Sequence, residues 1–540
     1  MSNLVLKNGN IYTSDERNLR VQAMAISQGK IAFVGLNEGV DRFIHPGSEV
    51  IDLEGKMVLP AFVDAHAHPS QAMDLFANIN LYLQDSPETY LQIIQNYILE
   101  YPDKQQYRGS GWDNSLFPDH GPDKNSLDAI LAEKPIALVS YDAHSLWVNS
   151  ITLERAQITR DTPNPEGGVI EKDPVSGEPI GTLRESAMKL VAGVFPDYSL
   201  EERVNTLLTY QRTALRYGIS LCHDAMLDEK SIAGFKALEQ EGKLHMRFRG
   251  SILVEPDSST KDQIVRLIDQ RAMNTRPRFQ TNAAKLFVDG VVEGGTAYLL
   301  EPYQDRSEYY GELIWHPQQL KEICAALDKE KFQIHLHVIG DAAARIALDA
   351  LEFAQQQNGK RDARHLITHL QLVAEEDIHR FHQLGVIGIP NPYWFRIDDY
   401  YWKIALPFLG KERADRQYPL RSFFDTGVRM ASASDFPVTV DFNPLIGIEM
   451  GHTRAKVGSQ GSEILWAEER LALKDMISSF TINGAYANFL ENQMGTLAVG
   501  KSADFIVLNQ DLFSIPANKI AEVKVLETFI EGQSVFSYLD

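Results

Sequence analysis

Residues 58–68 read V-L-P-A-F-V-D-A-H-A-H, an apolar run that ends in two histidines. Side chains two residues apart in a β-strand point to the same face, so His66 and His68 can offer their imidazoles to one metal ion. Their position predicts the carboxyl end of a strand, where parallel β/α folds place their active sites. An isolated H-x-H is common by chance and is equally typical of two exposed loop histidines, so this interpretation requires further ligands elsewhere.

Three further apolar runs end in a side chain that can bind a metal ion. They are F-Q-I-H-L-H-V-I-G-D at 332–341, L-I-T-H at 366–369 and M-A-S-A-S-D at 430–435. His337 lies nearer the carboxyl end of its run than His335, so His337 is the better ligand and His335 is interpreted as a core residue or a support for a ligand. Taken singly, His369 could be a satisfied core histidine and Asp435 a helix cap. Together, four apolar runs that each end in a possible metal ligand favour a single metal site.

Between the chain ends, short apolar runs alternate with amphipathic helical patterns, which predicts βα units around a parallel sheet. Two candidate strands, beginning near Tyr107 and Ile136, lie in a Pro-, Gly- and Asp-rich region at 76–195 that we assign to an insertion. The remaining candidates match the eight strands of a closed barrel. They begin near Val58, Ile219, Met246, Ala283, Phe332, His365, Val386 and Val428.

The two ends of the chain share a different pattern, in which short β-rich runs alternate with turn clusters. We therefore predict an α/β fold class: a (β/α)8 TIM barrel with a small β-sandwich built from both termini and a large insertion after strand 1. The predicted parts are a composite β-sandwich from 1–57 plus 496–540, a barrel from 58–75 plus 196–495, and an inserted cap subdomain at 76–195. A helix-rich segment at 468–492 is expected to close the barrel before the terminal β region.

The composition excludes several classes of function. The chain has 540 residues, of which 44% are hydrophobic and 23% charged, and a formal net charge of -21 that opposes binding to nucleic acid and to anionic lipids. No segment resembles a leader peptide or an apolar membrane span, and Cys222 and Cys324 are too few for a disulfide framework. We expect a cytoplasmic protein with a small-molecule substrate and no nucleic-acid or membrane partner. Association into a homo-oligomer stays open.

Residues 495–502, G-T-L-A-V-G-K-S, satisfy the phosphate-binding P-loop expression. A P-loop follows a strand and opens a helix, so that the helix N-terminus meets the phosphates. Here a helical pattern precedes the motif and the apolar run at 505–508 follows it. This reversed order argues against nucleotide binding.

Ordered fragments along the chain resemble the amidohydrolase superfamily, in particular its amidohydrolase-3 or YtcJ-like branch of metal-dependent hydrolases. They are P-A-F-V-D-A-H-A-H at 60–68, G-W-D at 111–113, S-Y-D-A-H-S-L-W-V-N-S at 140–150, G-E-P-I-G-T-L at 177–183, K-L-F-V-D-G at 285–290, H-V-I-G-D at 337–341, T-H-L-Q at 368–371, S-D-F-P-V at 434–438 and G-T-L-A-V-G-K-S-A-D-F-I-V-L at 495–508. After Asp289-Gly290 the chain departs from the family's serine- and glycine-containing continuation. The resemblance therefore extends to the metal ligands but not to substrate contacts from this loop.

The resemblance implies a site for two divalent metal ions, with zinc as the expected metal. In such members the H-x-H pair and an aspartate bind one ion, two histidines bind the other, and a carboxylated lysine bridges both. The implied ligands are His66, His68, Lys285, His337, His369 and Asp435. Lys285 lies in the apolar run 283–288, where a buried ammonium is costly unless it is neutralised or modified. The alternative is a lysine at a strand start whose amine reaches solvent.

The fragments of the insertion that resemble the family contain three candidate substrate-binding residues, Trp112, Asp113 and His144. The insertion leaves the barrel at its catalytic face, so these residues can close over a substrate. Equally, Trp112 can be a core residue and His144 a brace for its loop. The aromatic run 393–395 after strand 7 presents the same choice.

The implied activity is hydrolysis of a non-peptide carbon–nitrogen bond in an amide, N-acyl or N-formyl compound by a metal-activated hydroxide. Asp435 would be the catalytic base, accepting a proton from water and returning it to the leaving nitrogen. One alternative is a mononuclear deaminase on the same barrel, which has no use for Lys285. Another is a regulatory or binding protein with a vestigial site.

Overall fold

A computed structural model describes residues 4–76, 78–82, 84–117, 120–141, 144–459 and 463–538. The chain divides into two compact units. One unit comprises the residues up to Pro69 together with those from Gln211 onward, and the other is Ser70–Tyr210. The insertion predicted at 76–195 lies inside the second unit.

The N-terminal region forms short strands joined by tight turns. Gln28 and Gly29, between two of these strands, have left-handed φ angles of 51° and 77°, as a type I′ hairpin turn requires. The elements are β1 (Leu4–Lys7), β2 (Asn10–Tyr12), β3 (Arg20–Val21), β4 (Ala23–Ser27), β5 (Lys30–Gly35), α1 (Asn37–Val40), β6 (Glu49–Asp52) and β7 (Met57–Pro60). Strands β5, β4, β1 and β6 form one sheet in that order.

The first predicted barrel strand is in fact two strands. After β7 ends at Pro60, strand β8 (Phe62–Ala67) begins, and the chain moves from one sheet to another between them. The amide of Ala61 donates to Asp504 O at 3.1 Å, near the C-terminal end of the chain, whereas the amide of Phe62 donates to Gly218 O at 2.8 Å, next to the barrel strand that begins at Ile219. Proline has no amide hydrogen and cannot continue a ladder, so Pro60 is a natural end for β7.

The second unit contains its own sheet. Its elements, up to residue 185, are α2 (Met73–Phe76), β9 (Ile79–Asn80), α3 (Pro87–Glu100), β10 (Tyr107–Trp112), α4 (Lys124–Asp128), β11 (Ile136–Ser140), β12 (Ser145–Val148), α5 (Ser150–Arg155), β13 (Gly168–Lys172) and β14 (Pro179–Glu185). The sheet order is β13-β14-β12-β11-β10-β9. The strands predicted near Tyr107 and Ile136 are thus β10 and β11, which belong to this sheet and not to the barrel.

The barrel strands run parallel and alternate with helices. Following α6 (Leu200–Arg216), the elements are β15 (Ile219–Leu227), α7 (Glu229–Gln240), β16 (Arg247–Leu253), α8 (Thr260–Met273), β17 (Phe279–Phe287), α9 (Pro317–Lys329), β18 (Gln333–Val338), α10 (Asp341–Asn358), β19 (Leu366–His369), α11 (Glu375–Leu384), β20 (Ile387–Pro390), α12 (Leu406–Asp415), α13 (Leu420–Asp425) and α14 (Pro444–Thr453). The order β20-β19-β18-β17-β16-β15-β8 is parallel throughout. Helices on the outer face and near-continuous burial of the strands are typical of this architecture.

The eighth predicted strand, near Val428, is an extended segment with irregular pairing. Met430 forms a single parallel bridge with Gly388 of β20. On the other side, the amide of Ala65 in β8 donates to Ser432 O at 3.3 Å and the amide of Asp435 donates to His66 O at 2.9 Å. This segment joins β20 to β8 and so closes the barrel. The predicted TIM-barrel fold class is confirmed.

Both chain ends contribute to one β-sandwich core. After α15 (Leu473–Ser479) and α16 (Ile482–Ala487) come β21 (Phe505–Leu508), β22 (Val525–Ile530) and β23 (Gln533–Ser537), in the sheet order β23-β22-β21-β7-β2-β3. Buried side chains from both sheets share a cluster that includes Leu6, Met24, Phe505 and Phe529. Within the described ranges, no helix is both long and apolar enough to cross a membrane.

The P-loop expression at 495–502 lies between α16 and β21 and does not open a helix. The Lys501 amine donates to Thr496 Oγ1 at 2.6 Å and to Met494 O at 3.4 Å, within or next to its own loop. The geometry therefore lacks the helix N-terminus that phosphate binding requires.

Candidate metal centre

The predicted ligands lie at the carboxyl ends of neighbouring parallel strands. His66 is near the end of β8, Lys285 near the end of β17, and His337 near the end of β18. His369 is the last residue of β19, and Asp435 ends the segment that closes the barrel. All five side chains are buried or nearly so, with at most 8% of the residue exposed. The barrel topology therefore directs them to one end of its interior.

His66, His68 and Asp435 meet at one point. Asp435 Oδ1 lies 3.1 Å from the Nε2 atoms of both histidines, and these two nitrogens are 3.2 Å apart. Ligand atoms of a tetrahedral zinc ion are about 3.3 Å apart, because each is about 2.0–2.1 Å from the metal. Two nitrogens and a carboxylate oxygen at this spacing form a donor set that fits a divalent ion.

His369 and His337 extend this cluster. Ligand atoms of His66, His369 and Asp435 lie within 4.8 Å of one another, and the rings of His337 and His369 are 4.6 Å apart between centroids. His337 Nε2 is also 3.2 Å from Gly290 O. The structure thus brings together the five predicted nitrogen and carboxylate ligands.

Two residues after β20 orient His369. Its Nδ1 lies 2.9 Å from Asn391 Oδ1, which leaves Nε2 for a metal, and its ring stacks on Trp394 with 5.5 Å between centroids and 16° between planes. Of the aromatic run 393–395, Tyr393 and Phe395 are buried. Trp394 contacts a predicted ligand through the stacking of its ring on His369.

Lys285 is fully buried in β17, and its amine has no hydrogen-bond partner among the described residues. The nitrogen lies 4.8 Å from the centroid of the Phe287 ring. Burial lowers the pKa of this lysine from 10.5 to about 7, partly opposed by the charge of Asp435. A buried amine without a hydrogen-bond acceptor is costly in its charged form, so the site fits a modified or neutral lysine.

Burial and the neighbouring charges favour neutral imidazoles around one ionised carboxylate. Burial, followed by the Lys285 ammonium, holds the pKa of His66 well below its usual value, and burial also lowers the pKa of His369 to about 4. Burial opposes ionisation of Asp435, but the neighbouring imidazoles of His369, His66 and His68 hold its pKa well below 3.8. Neutral imidazoles and an ionised carboxylate are the forms that bind metals.

Two of the ligands have left-handed backbone conformations that local patterns did not predict. The φ angles are 75° at His369 and 60° at Asp435. Such conformations cost of order 1 kcal/mol or more for residues other than glycine and concentrate at functional sites. Here they turn the chain where β19 and the closing segment end.

Two buried aspartates that the sequence analysis missed brace the site. Asp64 accepts hydrogen bonds from the Ser434 amide at 3.0 Å and hydroxyl at 2.5 Å, which ties β8 to the closing segment beside Asp435. Asp289 accepts from the amides of Ile339 and Gly340 at 3.0 and 2.8 Å, and so fixes the loop after β18. The available signal was an aspartate within an apolar strand for Asp64 and directly after one for Asp289, since a buried carboxylate needs donors.

Trp112 has the environment of a core residue, the alternative that its sequence left open. Trp112 is fully buried in the second unit, and its indole nitrogen donates to Leu138 O at 2.7 Å. Asp113 is exposed and caps a short helix by accepting from the Ser115 amide at 2.7 Å. His144 is exposed, with Nδ1 3.0 Å from Glu185 Oε1. Substrate contact by Asp113 or His144 stays a prediction.

We expect Trp112→Phe to affect stability and not catalysis. The variant keeps most of the buried ring but removes the indole donor, which should lower the free energy of unfolding by about 1–3 kcal/mol. Thermal melting, metal content and kcat/KM for one substrate measure this. His144→Ala is the comparison variant, expected to change substrate preference. A lower kcat/KM for Trp112→Phe at unchanged stability would contradict the structural role.

Comparison with known proteins agrees with this geometry. The protein YtcJ of Bacillus subtilis is 28% identical over 98% of both chains, and N-substituted formamide deformylase of Arthrobacter pascens is 26% identical over 98% of both. The structure of an uncharacterized metal-dependent hydrolase from Pyrococcus horikoshii covers 96% of this chain and 99% of its own, with a TM-score of 0.78 at 23% identity. A model of the amidohydrolase family matches residues 49–536. The chain therefore belongs to the amidohydrolase family of metal-dependent hydrolases.

Proposed function

We propose that this protein hydrolyses a non-peptide carbon–nitrogen bond in a linear amide, with N-formyl and N-acyl amines as the favoured substrates. The observation that carries the proposal is the convergence of His66, His68 and Asp435 at 3.1–3.2 Å, together with the electrostatic interaction of the buried Lys285 amine with Asp435. The full-length similarity to N-substituted formamide deformylase supports the formamide class.

We further propose two zinc ions as the cofactor, bridged by carboxylated Lys285. Divalent ions in such a site polarise a carbonyl group and acidify water. His66, His68 and Asp435 would hold one ion, and His337 with His369 would hold the other. A carbamate on Lys285 adds the negative charge that two neighbouring cations require, because the histidines are neutral.

Asp435 is the residue placed to move protons. Its low pKa keeps the carboxylate ionised at neutral pH, so it can accept a proton from attacking water. The same carboxyl group can then donate that proton to the nitrogen that leaves. The Asp435 amide donates to His66 O at 2.9 Å, which fixes the backbone from which this side chain projects.

A mononuclear deaminase remains the second candidate, because the His66, His68 and Asp435 cluster is sufficient for one ion. Metal analysis of the purified protein separates the two schemes. Two equivalents of metal per chain, with turnover of N-formyl or N-acyl amines after each metal is restored, support the proposal. One equivalent with release of ammonia from aminated heterocycles supports the deaminase. Full metal occupancy without turnover of either substrate class supports a regulatory or binding role.

Lys285 gives the site a specific pH dependence. With a pKa of about 7, its amine is protonated below neutral pH and neutral above it, and only the neutral amine reacts with carbon dioxide to form a carbamate. At constant dissolved carbon dioxide, we expect the carbamate signal in ¹³C-labelled protein to increase from pH 6 to pH 8. Lys285→Met should lack the signal at both pH values. Equal signal at pH 6 and 8 in the wild type would contradict this assignment.

The composition of the chain supports a proposal for its cellular compartment and its binding partners. Two cysteines and a net charge of -21 favour the cytoplasm and a small-molecule substrate, without nucleic acid or a membrane surface. Homo-oligomer formation is a question for light scattering of the purified protein.

A further inference from the structure

A continuous chain of hydrogen bonds leads away from His66 below the metal centre. His66 Nδ1 lies 2.8 Å from His335 Nε2, and His335 Nδ1 lies 3.0 Å from Ser251 Oγ. Ser251 Oγ is 2.7 Å from His223 Nε2, and His223 Nδ1 is 2.8 Å from Asn488 Oδ1. Each of these residues is at most 3% exposed. The chain connects four barrel strands, β8, β18, β16 and β15, to the end of helix α16.

Asn488 sets the direction of this chain. Its amide nitrogen donates to Gly484 O at 2.9 Å. Because a carbonyl group can only accept, the amide oxygen of Asn488 must face His223. That oxygen is also only an acceptor, so His223 Nδ1 carries a hydrogen. Burial lowers the pKa of His223 to about 4, so the ring is neutral at pH 7 and its Nε2 is an acceptor.

The remaining donors and acceptors follow from this start. Ser251 has a single hydroxyl hydrogen, which must be donated to His223 Nε2. Ser251 Oγ then accepts from His335 Nδ1, so a neutral His335 presents Nε2 as an acceptor. His66 must therefore donate its Nδ1 hydrogen to His335. A neutral His66 in this tautomer has its lone pair on Nε2, the atom 3.1 Å from Asp435 Oδ1.

The reversed arrangement is incompatible with the metal site. If His335 donated from Nε2, His66 Nδ1 would be the acceptor. The neutral His66 ring would then carry its hydrogen on Nε2, which points at Asp435 and at the position that suits a cation. Metal binding requires the lone pair at that atom, and the second ring nitrogen of a ligating histidine typically donates to an outer acceptor.

We propose that His335, Ser251, His223 and Asn488 form a relay that holds His66 in the tautomer with hydrogen on Nδ1 and thereby orients Nε2 for the metal. These four are positioning residues, because they act through His66 and none of them is a proposed metal ligand. The proposal concerns how the metal is held, so it is independent of which amide is cleaved.

Ser251→Ala tests the relay at its centre. The variant removes both the donor to His223 and the acceptor for His335 while it keeps the barrel packed. Ser220→Ala is the matched control, since Ser220 is equally buried on the adjacent strand β15 and bonds only weakly to Phe62 O at 3.4 Å. Competition with a chromophoric chelator for Zn²⁺ gives the dissociation constant of each full-length protein. We expect about 10-fold or more weaker binding for Ser251→Ala and near wild-type binding for Ser220→Ala.

A second pair of variants separates the relay from simple packing. His335→Gln places an amide oxygen where His335 Nε2 accepts from His66, whereas His335→Phe fills the same space without an acceptor. We expect the glutamine variant to bind Zn²⁺ more tightly than the phenylalanine variant. Equal Zn²⁺ affinity for Ser251→Ala and Ser220→Ala would overturn the proposal. So would equally weak binding by the two His335 variants when both melt as cooperatively as the wild type.

Discussion

Replacing Lys285 with alanine should remove at least one metal ion and reduce turnover by about 1,000-fold or more. The side chain is fully buried in β17, its amine has no hydrogen-bond partner in the described part of the chain, and burial lowers its pKa to about 7. An amine in this environment is favourable only if it is neutral or modified. As a bridging carbamate it would supply the negative charge that two adjacent cations need.

The gap that alanine leaves offers a direct check of this role. Acetate or propionate at millimolar concentration should enter the gap, provide a carboxylate and restore part of the activity and metal content. Lys285→Met is the control: it also lacks the amine but fills the space, so added acid should have no effect. Elemental analysis and turnover, each with and without acid, give the result.

Two outcomes would contradict the assignment of Lys285. One is wild-type metal content and activity in the alanine variant. The other is electron density, in crystals grown with bicarbonate and zinc, for an unmodified amine more than about 4 Å from any metal. The second outcome would favour the mononuclear deaminase.

Asp435→Asn should retain metal better than activity. Asparagine keeps an oxygen of similar size near the Nε2 atoms of His66 and His68, which are 3.1 Å from Asp435 Oδ1. It cannot accept a proton from water at neutral pH, so turnover should fall by roughly 100-fold or more. Metal content and kcat measured on the same preparation separate the two effects.

Asp441→Asn is a matched control, because it removes one carboxylate from an exposed position a few residues further along the chain. It should leave both metal content and kcat unchanged. An Asp435→Asn protein that is fully loaded with metal and near the wild-type rate would exclude Asp435 as the base. Loss of all metal would instead make the carboxylate charge of Asp435 essential for binding.

Much of the barrel could be predicted because its signals are local. A period of two places His66 and His68 on one face of a strand, and an apolar run that ends in a polar residue marks a carboxyl end. The same reasoning indicated the ends of β18 and β19, where His337 and His369 lie beside the other ligands in the structure. The carboxyl ends of parallel strands lie at the same end of a barrel, so local patterns were enough to predict that these ligands lie close together.

Other features depend on contacts that no local pattern contains. Pro60 ends a strand of the β-sandwich and not of the barrel, because it pairs with Phe505. Two residues later, the amide of Phe62 donates to Gly218 O of the barrel unit. Both partners are distant in the sequence. Trp112 is equally consistent with a core or a pocket until its partner, Leu138 O, is known. The segment near Met430 that closes the barrel forms a single β-bridge, with Gly388. The apolar run at 428–435 therefore predicted a more regular strand than the structure contains.

The sequence by itself determined the barrel, the terminal β-sandwich and the strand ends that carry the candidate ligands, since these follow from periodicities of a few residues. Only the tertiary structure decided the left-handed backbone at His369 and Asp435, the bracing by Asp64 and Asp289, and the relay behind His66. The physical reason is that hydrogen-bond partners depend on the register between strands. His66 and His335 are 269 residues apart in the chain, and folding alone brings their ring nitrogens to 2.8 Å.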